Sequence, residues 1–280
     1  MNQRIIKADG ITLCTDCFGK SDNPAILLIM GAQSSMIWWE EEFCQRLADA
    51  GHYVIRYDNR DVGCSTTYEP GQPEYTFEDM ADDAVHVLDA YQIEQAHIMG
   101  MSMGGMLTQM IALRHPERVL TVTLLATSNF APHLPPMEEK IMDFFSNMGI
   151  IDWTCESSVA AFAIERSRIL VGSKHPFNEE HVGALARKEF ARSYNIASMS
   201  NHALVTGGES YLMRTSEINV PALIIHGTED PIIPYEHGKH LANEIPGAVI
   251  LTLEGSGHEL HYLDWDIIID SITKLTSIRD

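Results

Sequence analysis

The sequence predicts an α/β fold: a mostly parallel eight-stranded sheet with helices on both faces and a helical cap. Three observations carry this. Short apolar runs bounded by turn residues recur along the chain, which is how strands buried on both faces read. Amphipathic stretches with helical spacing lie between them, and strand–helix alternation builds parallel sheets. Between about Phe130 and Ser216 the alternation lapses and only helical patterns remain, as expected of an insertion over one end of the sheet.

Arg4–Ala8 and Ile11–Phe18 flank Asp9-Gly10, a turn pair suited to a hairpin. Ala25–Met30 follows Asn23-Pro24 as a continuous apolar strand. Glu40–Ala50 places Phe43, Leu47 and Ala50 on one helical face, and Tyr53–Tyr57 is the next strand. Phe77–Tyr91 aligns Met80, Ala84, Val87, Leu88 and Tyr91. His97–Met99, a helix over Met103–Leu113 and the strand Thr121–Ala126 come next. The insertion opens on Pro132, Pro135 and Pro136 and holds helices at Met137–Met148, Ser157–Val171 and Glu179–Ser200, closing on Gly207-Gly208. Ala222–His226 and Val249–Leu253 complete the strands, and His261 opens the last helix. The expected division is therefore a core of residues 1–129 and 217–280 with a cap of residues 130–216.

At 280 residues, 45% hydrophobic and 21% charged, the chain has globular composition and can bury roughly 75% of its unfolded surface. Net charge is 19 − 39 = −20, with no basic cluster, so nucleic acid and anionic membrane are poor partners. The start lacks the apolar stretch of a secretory signal, and no run approaches the roughly 20 residues of a membrane span. Five cysteines form no disulfide framework; Cys14-x-x-Cys17 lies in a strand, where residues three apart face opposite ways. Structural thiols in a reducing cytoplasm are the expectation.

The chemistry concentrates in His97-Ile98-Met99-Gly100-Met101-Ser102-Met103-Gly104-Gly105, a strand, a G-x-S-x-G and a helix start. Such an elbow crowds the backbone beside Ser102, and Gly100 and Gly104 relieve the crowding because they lack Cβ. Serine needs a base oriented by a third group. Asp230 follows the strand Ala222–His226, and His258 follows Val249–Leu253, so all three lie on loops at the same sheet end. Glu229 rivals Asp230, but Asp230 directly precedes the rigid Pro231-Ile232-Ile233-Pro234. His261 is the nearest competitor for His258, and His226, ending a buried strand, reads as structural. No H-e-x-x-H spacing implies a metal. For the oxyanion hole, Met103 N–H supplies one donor and Ala32 N–H, in Met30-Gly31-Ala32-Gln33-Ser34-Ser35, the second; the Gln33 amide is a possible extra donor.

These residues resemble the α/β-hydrolase superfamily over nearly the whole chain. The resemblance rests on Met30-Gly31-Ala32, the run from Arg56 to Ser65, Gly100–Gly105, Asp230-Pro231 and Gly257-His258. More narrowly the chain is similar to the aclacinomycin methylesterase group of small-molecule methyl-ester hydrolases with a helical cap. Arg60-Asp61-x-Gly63-x-Ser65-Thr66, Ser102-Met103-Gly104, Asp230-Pro231-Ile232-x-Pro234 and His237-Gly238-Lys239-His240-Leu241 support that. The resemblance implies a Ser102, Asp230, His258 triad, with Ala32 standing where that group has a second glycine.

The reading that follows is a cytoplasmic serine carboxylesterase for a small, largely apolar ester, needing no cofactor. C–C hydrolases, lactonases, proline iminopeptidases and cofactor-free perhydrolases use related machinery and are the rivals, with a non-catalytic small-molecule receptor the rival from another class. Dehalogenases and epoxide hydrolases carry Asp at the elbow, where this chain has Ser102. Gln33, Met101, Met142 and Phe145 are the candidate substrate contacts. Met137, Met142, Phe144, Phe145 and Met148 recur at roughly helical spacing in the cap, as do Phe162, Ile164 and Ile169. Few Lys or Arg occur between Ala131 and Phe162, which argues against a strongly anionic substrate.

Overall fold

The hairpin Asp9-Gly10 has both residues at positive φ, 45° and 84°, the backbone a two-residue turn requires. It joins β1 (Arg4–Ala8) to β2 (Ile11–Phe18) with Ala8 opposite Ile11. The computed structural model describes residues 3–146 and 151–277. Its eight-stranded sheet also holds β3 (Ala25–Ile29), β4 (Tyr53–Tyr57), β5 (Ala96–Met101), β6 (Val119–Leu125), β7 (Ala222–Gly227) and β8 (Val249–Leu253). The order is β1-β2-β4-β3-β5-β6-β7-β8, antiparallel at β1, β2 and the β2–β4 pair and parallel beyond.

Period-two alternation explains the two faces. Ala25, Leu27 and Ile29 of β3 enter one apolar cluster and Ile26 and Leu28 the other, so every residue of this strand is buried. The first cluster is completed by α2 (Phe77–Ala90), α3 (Met103–Arg114) and α8 (Tyr235–Glu244). On the opposite face lie α1 (Glu41–Asp49) and α9 (Trp265–Thr276), through Phe43, Leu47, Trp265 and Ile268. Truncating a residue such as Leu27 to alanine would cost on the order of 2–5 kcal/mol in a site packed on both sides. α2 starts on a capping box, Thr76 with Asp79. Cys14 and Cys17 do face opposite ways, Cys14 toward Met36 and Ile37 and Cys17 toward the first cluster.

Three expectations need correction. β8 is not buried on both faces: it ends the sheet, and Val249 is 61% exposed. The helix expected over Glu179–Ser200 is α6 (Glu179–Arg192) followed by a 3-10 segment, Ile196–Ala203. The helix stops where Ser193 turns extended, at φ −75° and ψ 136°, and Tyr194 N–H leaves the helix for the Gly63 carbonyl. The first helix of the insertion between β6 and β7, expected over Met137–Met148, is α4 (Glu139–Ser146), and Met148 lies outside the described residues.

Between β6 and β7 run α4, α5 (Glu156–Leu170), α6 and α7 (Glu209–Leu212). Ala160 and Ala163 of α5 meet Ala186 of α6, small residues that let two helices approach closely. Asp58, at the end of β4, anchors this segment to the sheet: its oxygens accept Met36 N–H, Cys64 N–H and both Arg192 Nη groups, the latter at 2.7 and 3.0 Å. Among the described residues no helix is long and apolar enough to cross a membrane.

Candidate active site

Ser102 sits between β5 and α3 at φ 55°, ψ −120°, a strained position for a residue with a side chain. The neighbouring chain makes that conformation possible. A Cβ on Gly100 would lie 2.0 Å from the Gly104 carbonyl oxygen, and one on Gly104 would lie 2.1 Å from that of Ile29. Ser102 N–H donates to Leu125 O at 2.9 Å, and Thr127 Oγ1 donates to Ser102 O at 2.7 Å, pinning the turn from β6.

Asp230 is buried just beyond β7, with its two oxygens in different roles. Oδ1 accepts Ile232 N–H and Ile233 N–H at 3.0 and 2.8 Å, and Oδ2 lies 2.7 Å from His258 Nδ1. Burial alone would raise this carboxyl's pKa, but the His258 charge and hydrogen bonding from His226 and His258 outweigh it and hold the pKa well below the ordinary range. Glu229 is exposed instead and accepts Ser173 N–H and Ser173 Oγ–H, both at 2.7 Å. His226 is fully buried and donates through Nε2 to Ile233 O at 2.7 Å.

The His258 loop is tied to the end of α5. Its N–H donates to Leu170 O at 2.8 Å, and a Cβ on Gly257 would stand 2.1 Å from the same carbonyl. His261 also borders the site but stacks on His175 with ring centroids 4.0 Å apart, and its Nδ1 accepts Leu263 N–H.

Ser102 and His258 line one cavity of about 330 Å³, a volume suited to a small molecule rather than a polymer. Its walls include Met30, Gly31, Ala32, Gln33, Met101 and Phe145. Of the expected substrate contacts, Gln33, Met101 and Phe145 therefore border the cavity, whereas Met142 does not. Met142 is 45% exposed, because Ile141 is the buried residue of α4 and Phe145, four residues on, shares its face, while Met142 lies a hundred degrees round. Gly31 lies against Ser102: a Cβ there would meet Ser102 Cβ at 3.1 Å. Gln33 has φ 59°, and its N–H donates to His202 Nδ1 at 2.9 Å. Arg166, Trp38 and Leu185 border the same cavity and were not singled out from sequence.

Among the described residues, Cys14, Asp58 and Cys64 are the one group with metal-ligand spacing, their ligand atoms within 4.8 Å of one another. Arg192 already neutralises Asp58, and burial pushes the Cys14 thiol far above its ordinary pKa, so the trio fits a packed polar core better than a cation site.

A sharp serine elbow, a buried Asp–His pair and a cavity at the carboxyl ends of parallel strands define the hydrolase class within doubly wound folds. Residues 24–264 match the family model for the alpha/beta hydrolase fold, and the chain belongs to that family. Among its relatives is rhodomycin D methylesterase DauP of Streptomyces sp. (strain C5), 32% identical over 93% of both chains. A putative carbamate hydrolase, RutD of Pseudomonas syringae pv. syringae (strain B728a), is 27% identical over 87% of this chain and 90% of its own. The enol-lactonase from Burkholderia xenovorans LB400 shares the fold with a TM-score of 0.75 at 22% identity, covering 98% of this chain and all of that one.

Proposed function

We propose that this chain is a serine carboxylesterase that hydrolyses a small ester, methyl esters included, with residues 130–216 acting as the cap. Asp230 accepts the Nδ1 proton of His258 and so leaves Nε2 as the base. His258 takes the Ser102 proton as Oγ attacks the ester carbonyl. Ala32 and Met103 N–H groups bind the oxyanion that forms. Collapse expels the alcohol, protonated by His258, and water activated by the same imidazole cleaves the acyl-enzyme. The chemistry requires no cofactor.

The observation that carries this reading is the Asp230–His258 pair opening onto the cavity that holds the strained Ser102. The named activity of the methylesterase relative supports the ester as the bond cleaved. A fluorophosphonate probe should label Ser102, and Ser102→Ala should abolish the labelling. Ser102→Ala and His258→Ala should each lower kcat by about 10³-fold or more, and the double variant should lose little further. Full labelling or turnover in Ser102→Ala would remove the serine mechanism.

A further inference from the structure

The cavity contains a cation that ester hydrolysis does not require. Among the described residues that line it, Arg166, on α5, is the only lysine or arginine. It lies just beyond the cation-poor stretch Ala131–Phe162, which the sequence led us to weigh against anionic substrates. Its guanidinium carbon stands 5.9 Å from the Trp38 ring centroid and 5.7 Å from that of Phe162. The polar contacts are weak: Nη1 is 3.4 Å from both Gln33 O and Gln33 Oε1, and Nη2 is 3.5 Å from Ser34 Oγ. No carboxylate lies within ion-pair distance of it among the described residues.

The nearby carboxylates have other partners. Glu189 accepts Ser35 N–H at 2.7 Å and Trp38 Nε1–H at 2.6 Å. Within the cavity wall, Glu259 accepts Gly172 N–H and Gly257 N–H, and Glu40 pairs with His181. Burial pushes the Arg166 pKa down, with Glu189 partly offsetting it, yet a guanidinium stays charged in proteins. A five-donor cation over two aromatic rings, short of acceptors and bordering the cavity, is matched by an oxyanion on the ligand.

We propose that Arg166 is a specificity residue that binds a substrate carboxylate, so that the preferred substrate is a half-ester or similar acid-bearing ester. This rests on the esterase reading above and narrows its substrate class. Gln33 links the two: Arg166 contacts its oxygens, and Ala32, the proposed oxyanion donor, precedes it in the chain. The surface charge of −20 opposes anions at long range, but salt screens that beyond about 8 Å, whereas Arg166 acts at contact.

The test compares monomethyl succinate, glutarate and adipate with neutral methyl alkanoates of equal chain length. At one spacing, kcat/KM for the half-ester should exceed that for its neutral partner by about 10-fold or more. Arg166→Met should lower that ratio by about 100-fold, mainly through KM, and Arg166→Lys should retain part of it. Should Arg166→Met fail to fold, competition in the wild-type protein decides: adipate must inhibit neutral-ester turnover at least about 10-fold better than hexanamide. A ratio below one at every spacing, or one unchanged in Arg166→Met, overturns the carboxylate subsite. Fluorophosphonate labelling of wild-type Ser102 separates the two failures. Intact labelling with an unchanged ratio removes the subsite alone, and absent labelling removes the esterase reading beneath it.

Discussion

Asp230 and His226, four residues apart, meet within 3.5 Å through Oδ2 and Nε2, at the same oxygen that lies 2.7 Å from His258 Nδ1. His226 directs its Nε2 proton to Ile233 O and so fixes the loop whose amides hold Asp230 Oδ1. The carboxylate is thus held through Oδ1, which leaves Oδ2 to His258. Backbone donors place the short Asp230 beside His258, whereas the longer Glu229 is drawn outward to Ser173.

That arrangement sets the first prediction. Asp230→Asn should lower kcat by about 10⁴-fold by admitting the wrong His258 tautomer, as in serine proteases. Glu229→Gln should change kcat by less than about 3-fold, since it loses only an exposed contact. Steady-state kinetics on one ester decide, and a reversal of the two results moves the acid to Glu229.

The two glycines beside the elbow should fail differently. Gly104→Ala drives a Cβ into backbone, 2.1 Å from Ile29 O, and overpacking of that kind costs about 1–3 kcal/mol. Gly31→Ala meets Ser102 Cβ at 3.1 Å, a contact the loop can absorb by shifting a few tenths of an ångström. Misplacing the nucleophile should lower kcat by about 10-fold or more with little change in Tm. Thermal denaturation alongside kinetics separates them; equal Tm losses would show that Gly31 is needed for folding rather than for Ser102 placement.

Acid stability should depend on His261. Burial first, and then His175, push its pKa down from 6.5 to about 4, while Asp264 and the Pro176 carbonyl pull the other way and His181 adds to the depression. Lys174 and His175 themselves bind Asp264, so the histidine faces a mixed field. Between pH 6.5 and 4 the unfolded chain holds a proton here that the folded chain lacks, and stability falls as pH falls. His261→Gln should therefore lose less Tm than wild type between pH 7 and pH 4.5. Parallel losses in the two proteins would place the acid sensitivity elsewhere.

Strands and elbow were legible because each depends on local spacing. Ala25 to Met30 is apolar at every position, short, and preceded by Asn23-Pro24, which is how a strand covered on both faces reads. Asp230 was legible through the proline that follows it. Other features depend on contacts between distant segments. The exposure of β8 follows from its place at the sheet edge, which its apolar sequence does not reveal. The break after Arg192 depends on Gly63, well over a hundred residues away in the chain. Arg166 lies in a helix among other charges, and only the packing of α5 over the loop after β3 sets it apart from Arg168, which pairs with Glu179 at the surface.

Size selection should follow the face of α4. Ile141 is fully buried and Phe145 borders the cavity one turn later, whereas Met142 points outward and is 45% exposed. Phe144, next to Phe145, instead stacks on Phe162 with centroids 6.2 Å apart, which fixes the helix against α5. Removing the Phe145 ring enlarges a cavity of about 330 Å³ without touching Ser102, so reaction with a small probe should continue. Bulky aryl esters should gain relative to short-chain esters in Phe145→Ala, with the ratio of kcat/KM values moving by roughly 10-fold, the scale of one or two methylenes in an apolar pocket. Met142→Ala should leave the ratio within about 2-fold, since an exposed side chain contributes little. The six rates, two esters on wild type and on each of the two variants, are the measurement. Equal loss on both esters in Phe145→Ala, with the fold intact, would mean that α4 supports the catalytic loops and does not select substrate.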